Sequence, residues 1–542
     1  MLVSRANRAI ARYNRHGEWL SRFVHRPYIS NAKQNTSRHH YTTSSHLSKH
    51  LFVRSTKFSK DLGWALLGGS GLMLASYSWL TSSPISLDAV DGINHYSTKV
   101  SNKSDTITLL TDSEINKKLR GLEQSYIVNR NKGISRYDVA QLPSNNPIED
   151  NHIEQVITVP VKDSEEDLYF FGIFDGHSGP FTSAKLSKDM VRYVAKQLSP
   201  FYSSQKSEGS SEQVDSAISN AFIQLDQDIV QESFKQLFKD PSQENMVNVL
   251  PAISGSCALL SLYNSKNSTL KVAVTGDSRA LIGGLDENNN WFVKALSIDQ
   301  TGDNLDEVTR IQNEHPGEPN AVRRGRVLGC LQPSRAFGDY RYKLKEVDGK
   351  KLSELPDHVK IYFRSEPRDL LTPPYVTSKP EITTTTIRNN VKFMIMGSDG
   401  LFELLTNEEI VGLVVKWQEQ FMNQNQNDKT NVTRNGKLPS VKDLTSDKSS
   451  QRPAFRYKKN NNSNTTDYLL EDSNVATHLI RNALSAGGQK EYVSTLTSIP
   501  SPMSRKYRDD LTVTVAFFGE SEKKDGSLEI NHEATAPPKP KL

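Results

Sequence analysis

Residues 170–179 read F-F-G-I-F-D-G-H-S-G, an apolar run followed at once by Asp175, Gly176, His177 and Gly179. An isolated Asp-Gly after a strand is ordinarily a turn. Here the pattern recurs. Asp277 follows the strand-like run 270–276, Asp399 follows 391–398, and Asp509 comes just before 511–518. Carboxylates spread over more than 300 residues can meet only if their strands lie side by side and end on one edge. Such a cluster takes up protons or holds a cation, because like charges raise one another's pKa. Oxygen donors, with just two cysteines in the whole chain, favour magnesium, manganese or calcium over zinc.

Seven stretches taken in order carry a resemblance. They are Pro147-Ile148-Glu149-Asp150, F-D-G-H-S-G at 174–179, Gly255-Ser256, G-D-S-R at 276–279, S-R-A-F-G-D at 334–339, Ser398-Asp399-Gly400 and Arg508-Asp509-Asp510. Over roughly residues 120–520 they resemble the motifs of the metal-dependent protein Ser/Thr phosphatases, the type 2C or PPM-type family. The stretch Q-L-P-S-N-N-P-I-E-D at 141–150 is similar to the mitochondrial branch that includes the pyruvate dehydrogenase phosphatase catalytic subunit, and a fungal member is implied. The implied activity is hydrolysis of phosphoserine or phosphothreonine by a two-metal-activated water, with phosphorylated pyruvate dehydrogenase as a candidate substrate. The alternative is a catalytically inactive relative acting as a membrane-tethered phosphoprotein scaffold. Such scaffolds usually lose metal carboxylates, and every one is present here.

The resemblance also implies roles. Asp175 would bridge two Mg2+ or Mn2+ ions, Gly176 would add its backbone carbonyl, and Asp399 and Asp509 would complete the second position. Glu149 and Asp150 would hold metal-bound waters. Asp277 and Glu403 would form a third, weaker position, with Glu403 standing where many relatives have Asp. His177 is the expected general acid, since an imidazole can protonate the departing seryl or threonyl oxygen at physiological pH. The family's phosphate-gripping arginine is replaced by Asn145, an amide that donates without charge. The mitochondrial branch shares this trait, which implies a weaker hold on phosphate.

Composition narrows the partners. The chain has 67 basic and 62 acidic residues, a net +5. Its first 60 residues hold twelve Arg or Lys and only Glu18 as an acid, a net +11, so the remainder carries −6. A nucleic-acid partner thereby loses its electrostatic support. Residues 1–60 are also Ser-rich, with Leu2, Ala6, Ala9, Ile10 and Tyr13 near helical spacing, the pattern of a mitochondrial presequence.

Residues 62–80 contain no charge, and Trp64, Tyr77 and Trp79 lie near their ends. That length just spans a hydrocarbon core of about 30 Å, so a stop-transfer anchor in the inner membrane is expected. The positive charge before it predicts a body in the intermembrane space. This conflicts with a matrix substrate, for which a matrix body is the alternative. Pro540-Lys541-Leu542 is a weak variant of a peroxisomal signal.

Residues 81–115 read as a linker and 116–519 as the phosphatase domain. Ile153, Gln155, Ile157, Val159 and Val161 alternate as in a strand, and 257–263 with 270–275 read as a hairpin. Val191, Val194 and Leu198, then Ala217, Ile218, Ala221 and Leu225, mark paired helices. Residues 340–376 read as a loop-rich flap. From Asp399 a helix is expected to continue with Ile410, Val411, Val414 and Trp417 inward, followed later by a helix at 475–484 and a last strand at 511–518. The Asn-, Lys- and Ser-rich stretch 423–466 is expected to be a disordered insertion, and 520–542 a disordered tail. Cys257 and Cys330 lack C-x-x-C spacing and read as buried thiols. The fold expected is α+β, a β-sandwich of two antiparallel sheets flanked by pairs of helices.

Overall fold

The apolar run before Asp175 is a strand, Ser164–Phe174, buried on both faces. Leu168, Phe170 and Phe174 point toward helices, while Tyr169, Phe171 and Ile173 point toward a second sheet, as a side-chain period of two requires. The computed structural model describes residues 108–161, 164–203, 209–422, 437–446, 451, 467–521 and 523–537. The expected presequence, the 62–80 anchor and the C-terminal tripeptide lie outside these residues. No helix among the described residues is long and apolar enough to cross a membrane.

In chain order the longer strands are β1 (Gln124–Val128), β2 (Ile134–Leu142), β3 (Asn151–Val161), β4 (Ser164–Phe174), β5 (Ala258–Asn264), β6 (Thr269–Thr275), β7 (Arg279–Leu285), β8 (Trp291–Ala295), β9 (Glu381–Thr386), β10 (Val391–Gly397), β11 (Val441–Asp443), β12 (Leu511–Phe518) and β13 (Leu528–Ile530). A five-stranded antiparallel sheet has the order β9-β6-β5-β4-β3. An eight-stranded sheet has the order β11-β8-β7-β10-β12-β2-β1-β13. The inner faces meet in a core that includes Tyr137, Tyr169, Phe171, Ile282, Met394 and Met396.

Each outer face is covered by helices. Helices α2 (Phe181–Ser203) and α3 (Ser211–Gln227) lay Val191, Val194, Leu198, Ala217, Ile218, Ala221 and Leu225 on the five-stranded sheet, the two faces the sequence marked. On the eight-stranded sheet lie α1 (Asp112–Leu119), α7 (Asn407–Phe421) and α8 (Val475–Leu484), the last two numbered after α4 (Ser233–Lys239), α5 (Gln243–Ile253) and α6 (Leu305–Glu314). Trp417 of α7 is fully buried, its ring stacked on Phe517 and its indole N–H donated to the Asp472 carbonyl at 2.9 Å. Truncating a side chain of that size in a packed core costs about 3–5 kcal/mol.

Several expectations need correction. The eight-stranded sheet is not wholly antiparallel, because β11 pairs in parallel with β8. That strand lies inside the expected disordered insertion, where Leu438 packs against Gly412 and the Thr445 hydroxyl accepts the Ala295 N–H. The expected tail is likewise partly ordered: β13 pairs with β1, Ala534 is buried, and the Ala536 N–H reaches the Glu123 carbonyl. Short polar strands reach order here by completing a sheet edge, a contribution that composition does not reveal. The helix from Asp399 also breaks. A single turn, Asp399–Phe402, is followed by a fresh start at Thr406, which caps α7 in a reciprocal capping box with Glu409. Cys257 is buried as expected, whereas Cys330 is exposed.

Candidate active site

Antiparallel pairing explains why distant carboxylates gather. Strand β5 runs opposite to β4 and β6, so the C-terminal ends of β4 and β6 share one edge, where Asp175 and Asp277 follow. In the other sheet β10 ends where β12 begins, which places Asp399 near Asp509 in the fold. Asp175, Asp277 and Asp399 each present an oxygen to a common point, all within 4.8 Å of one another. The Asp399 N–H also points at Asp175 Oδ2 at 3.5 Å. Burial, followed by the charges of Asp150, Asp399 and Asp277, pushes the Asp175 carboxyl well above the usual carboxylate range, with Arg505 opposing. An all-oxygen, charge-crowded donor set of this kind fits a hard divalent cation.

The corner carrying Asp277 is tied to the turn carrying Asp399. The Arg279 fork grips Asp299 at 3.1 and 2.7 Å, donates to Asn407 Oδ1 at 2.8 Å and lies 4.5 Å above the Phe402 ring. Behind Asp277, the Cys257 thiol donates to Oδ1 at 3.2 Å, and burial with the Asp277 and Asp175 charges pushes its pKa far up.

Other candidates sit around this cluster in different states. Asp509 is engaged by Arg505 one helical turn earlier, rather than converging with the three carboxylates. Glu149 accepts the Gly179 N–H at 2.6 Å and the Asn145 amide at 2.8 Å. Asp150 is buried, accepts the Thr512 hydroxyl at 2.7 Å, and is raised to about 7 by burial and then by Asp510. Gly176 has room for no side chain, since a Cβ would fall on the Glu149 carbonyl. The Glu403 N–H closes the turn on the Asp399 carbonyl at 2.9 Å, one turn along the chain from the cluster.

His177 lies in a two-residue strand, Gly176–His177, paired with Gly255–Ser256, which pairs in turn with Phe337–Gly338. That ladder brings Asp339 to His177, Oδ2 to Nε2 at 2.6 Å. Burial alone works to lower the His177 pKa, but the Asp339 charge and hydrogen bond, joined by Glu149 and Asp277, leave it raised. Gly255 passes beneath the pair, and a Cβ there would strike both side chains.

Two further residues shape the site although their local sequence pattern assigns them no role. Asp339 was visible only as the end of a motif. Asp510 is buried and gathers the backbone N–H groups of Ser144 (2.5 Å), Asn145 (3.2 Å), Glu149 (2.8 Å) and Asp150 (3.4 Å), besides the Ser144 hydroxyl (2.7 Å). It thereby shapes the whole loop that carries the Glu-Asp pair. The adjacent pair of aspartates was the available signal, with Asp509 as the ligand candidate and Asp510 as the organiser of the Glu149–Asp150 loop.

The protein phosphatase 2C family matches residues 144–447. The chain is 57% identical to the mitochondrial pyruvate dehydrogenase (acetyl-transferring) phosphatase 1 of Saccharomyces cerevisiae, covering 97% of this chain and 96% of that protein. It is 40% identical to a protein phosphatase 2C homolog of Schizosaccharomyces pombe over 76% of this chain and 86% of the relative. The human mitochondrial pyruvate dehydrogenase (acetyl-transferring) phosphatase 1 is 28% identical, over 76% of this chain and 83% of its own length. The relatives named as mitochondrial agree with the arginine-rich, acid-poor composition of the first 60 residues. With motifs, carboxylate geometry and similarity through nearly the whole length all converging, the chain belongs to the protein phosphatase 2C family, the metal-dependent protein serine/threonine phosphatases.

Proposed function

We propose that this phosphatase removes phosphate from seryl or threonyl side chains of pyruvate dehydrogenase in mitochondria. The observation that carries the substrate is the 57% identity to the yeast pyruvate dehydrogenase phosphatase, sustained over 97% of the chain. The carboxylate cluster carries the chemistry.

Asp175, Asp277 and Asp399 form the cation-holding centre, supported by the Gly176 carbonyl and by Asp509 once Arg505 releases it. Two bound Mg2+ or Mn2+ ions would supply a water nucleophile at neutral pH and neutralise phosphoryl charge. Glu149 and Asp150 would accept hydrogen bonds from metal-bound water, and Glu403 with Asp277 would offer a further, weaker position. His177, whose protonated form the Asp339 charge favours, would deliver its proton to the leaving seryl or threonyl oxygen. Asn145 is oriented by Glu149 and donates a neutral hydrogen bond to a phosphoryl oxygen.

The full chain, supplied with manganese, should release phosphate from phosphorylated pyruvate dehydrogenase faster than from an unrelated phosphoprotein. Equal rates on both would remove the substrate assignment and leave the chemistry. A second question concerns residues 62–80, whose charge-free span favours a membrane anchor. Protease protection of the body after rupture of the outer membrane supports the matrix and this substrate; digestion under those conditions supports the anchored, intermembrane-space reading.

A further inference from the structure

Three guanidinium groups crowd one short hairpin. Val322–Arg323 pairs with Arg326–Val327, and Arg323 stands opposite Arg326. Arg323, Arg324 and Arg326 are all exposed, and residues 319–330 contain no acid. Among the described residues, none of the three pairs with a carboxylate. Arg326 donates to the Cys330 carbonyl at 3.1 Å and to Gln332 Oε1 at 3.0 Å, both neutral acceptors. The Arg323 fork folds over Gly329, in the space that a Cβ there would take. Its side chain and that of Arg324 have no hydrogen bond or ion pair among the described residues. Asp303 extends across Gly325 at the tip, so the local balance is three cations against one anion. Glu318, the acid nearest before the hairpin in sequence, is held by Thr372 and Tyr375.

The turn carries a second mark. Arg324 and Gly325 form a two-residue loop with φ of 54° and 69°. Positive φ at both positions is what a type I′ turn requires, and its first position favours Asn, Asp or Gly. An arginine held there strains the backbone, and residues kept against local preference cluster at functional sites.

The hairpin also adjoins the carboxylate edge. Gln300 locks onto the residue before Asp277, with Oε1 accepting the Gly276 N–H at 2.8 Å and its own N–H reaching the Gly276 carbonyl at 2.9 Å. Two residues further on, a span of at most about 7 Å, Gly302 packs so closely on Gly325 that a Cβ would strike the turn's backbone. A peptide whose phosphorylated residue sits at the cluster extends about 3.3 Å per residue. Side chains two to four positions away, at about 7–13 Å, thus come within reach of the hairpin. On a body that carries −6 beyond residue 60, this patch offers an anionic chain a site of opposite charge.

We infer that Arg323 and Arg324 form a docking surface for an acidic segment of the phosphoprotein substrate, a few residues from its phosphoserine or phosphothreonine. This rests on the phosphatase reading of the neighbouring carboxylate cluster.

The test uses the full chain with manganese and two phosphoserine peptides, alike except that glutamates flank the phosphoserine in one and glutamines in the other. Wild type should favour the glutamate peptide in kcat/KM by about fivefold, and the preference should fade as salt rises from about 0.05 to 0.3 M. The double variant Arg323→Ala/Arg324→Gly, which suits the left-handed turn, should lose that preference and keep its rate on the glutamine peptide within about twofold. Arg324→Glu should disfavour the glutamate peptide more than Arg324→Gly does. Fluorescence anisotropy of a labelled glutamate peptide with alanine in place of phosphoserine reads the same contact without turnover, and its affinity should weaken in the double variant by about the same factor. No glutamate preference in wild type would overturn the inference. So would an equal loss on both peptides in the double variant, which would make the hairpin a brace for the Asp277 corner. Absence of wild-type turnover on either peptide would instead overturn the phosphatase reading, while the anisotropy measurement would still decide the role of the hairpin.

Discussion

The Asp339 carboxylate lies 2.6 Å from His177 Nε2, across 162 residues of sequence, and a three-strand ladder of two-residue segments brings the two together. The pair orients a half-buried histidine for the proton delivery proposed above. Asp339→Asn keeps the shape and removes the charge that favours the imidazolium. It should lower kcat by roughly 10- to 100-fold on a phosphoserine peptide, with little change in KM. Steady-state kinetics at a fixed manganese concentration check this, and an unchanged kcat would remove Asp339 from the proton-delivery scheme.

Charge crowding at Asp175, Asp277 and Asp399 predicts a thermal signature independent of turnover. A cation that binds only the folded state at a hundred times its dissociation constant adds about 2.7 kcal/mol. Manganese should therefore raise the unfolding midpoint of wild type, and chelator should reverse the shift. In Asp399→Asn the shift should be largely lost. A full manganese shift in that variant would exclude Asp399 from the cation site.

Asp510 accepts from four backbone N–H groups and a hydroxyl in the loop carrying Glu149 and Asp150. Hydrogen bonds to a buried charge are worth about 1.5–3 kcal/mol each, and orphaning several of them is costly. Asp510→Ala should lower stability by about 3 kcal/mol or more in urea unfolding. The same variant should require more manganese for half-maximal activity.

His478 supplies a pH dependence far from the reaction. It is fully buried in α8, with Nε2 against the Leu413 carbonyl at 3.1 Å, and burial lowers its pKa to about 4 in spite of Asp472. The folded protein refuses a proton that the unfolded chain accepts near pH 6.5. The stabilising contribution is thus complete above pH 6.5 and is lost as pH falls toward 4, amounting to about 2 kcal/mol by pH 5. Urea midpoints measured at pH 7 and pH 5 should show this decline, and His478→Gln should flatten it.

The carboxylate edge was legible because its members stand where long apolar runs stop, at Asp175, Asp277 and Asp399. A local pattern suffices when each residue is positioned by its own strand. Asp339 escaped because its partner is supplied by pairing of segments only two residues long, which leave no periodicity. The edge strands Val441–Asp443 and Leu528–Ile530 escaped for a related reason. A sheet margin is polar, so strands that complete it resemble linkers until their partners are known. The break between Phe402 and Asn407 could have been read from Thr406 and Glu409, since a threonine followed three residues later by glutamate opens a helix.

Hydrolysis by this phosphatase should depend on cations held by the carboxylate cluster. Phosphate release from a phosphoserine peptide by the full chain, titrated with manganese, tests it most directly when wild type is compared with Asp175→Asn. Turnover should appear with manganese, disappear with chelator and fall by more than about a hundredfold in a folded Asp175→Asn protein. Undiminished release in chelator, or an Asp175→Asn variant as active as wild type, would contradict it.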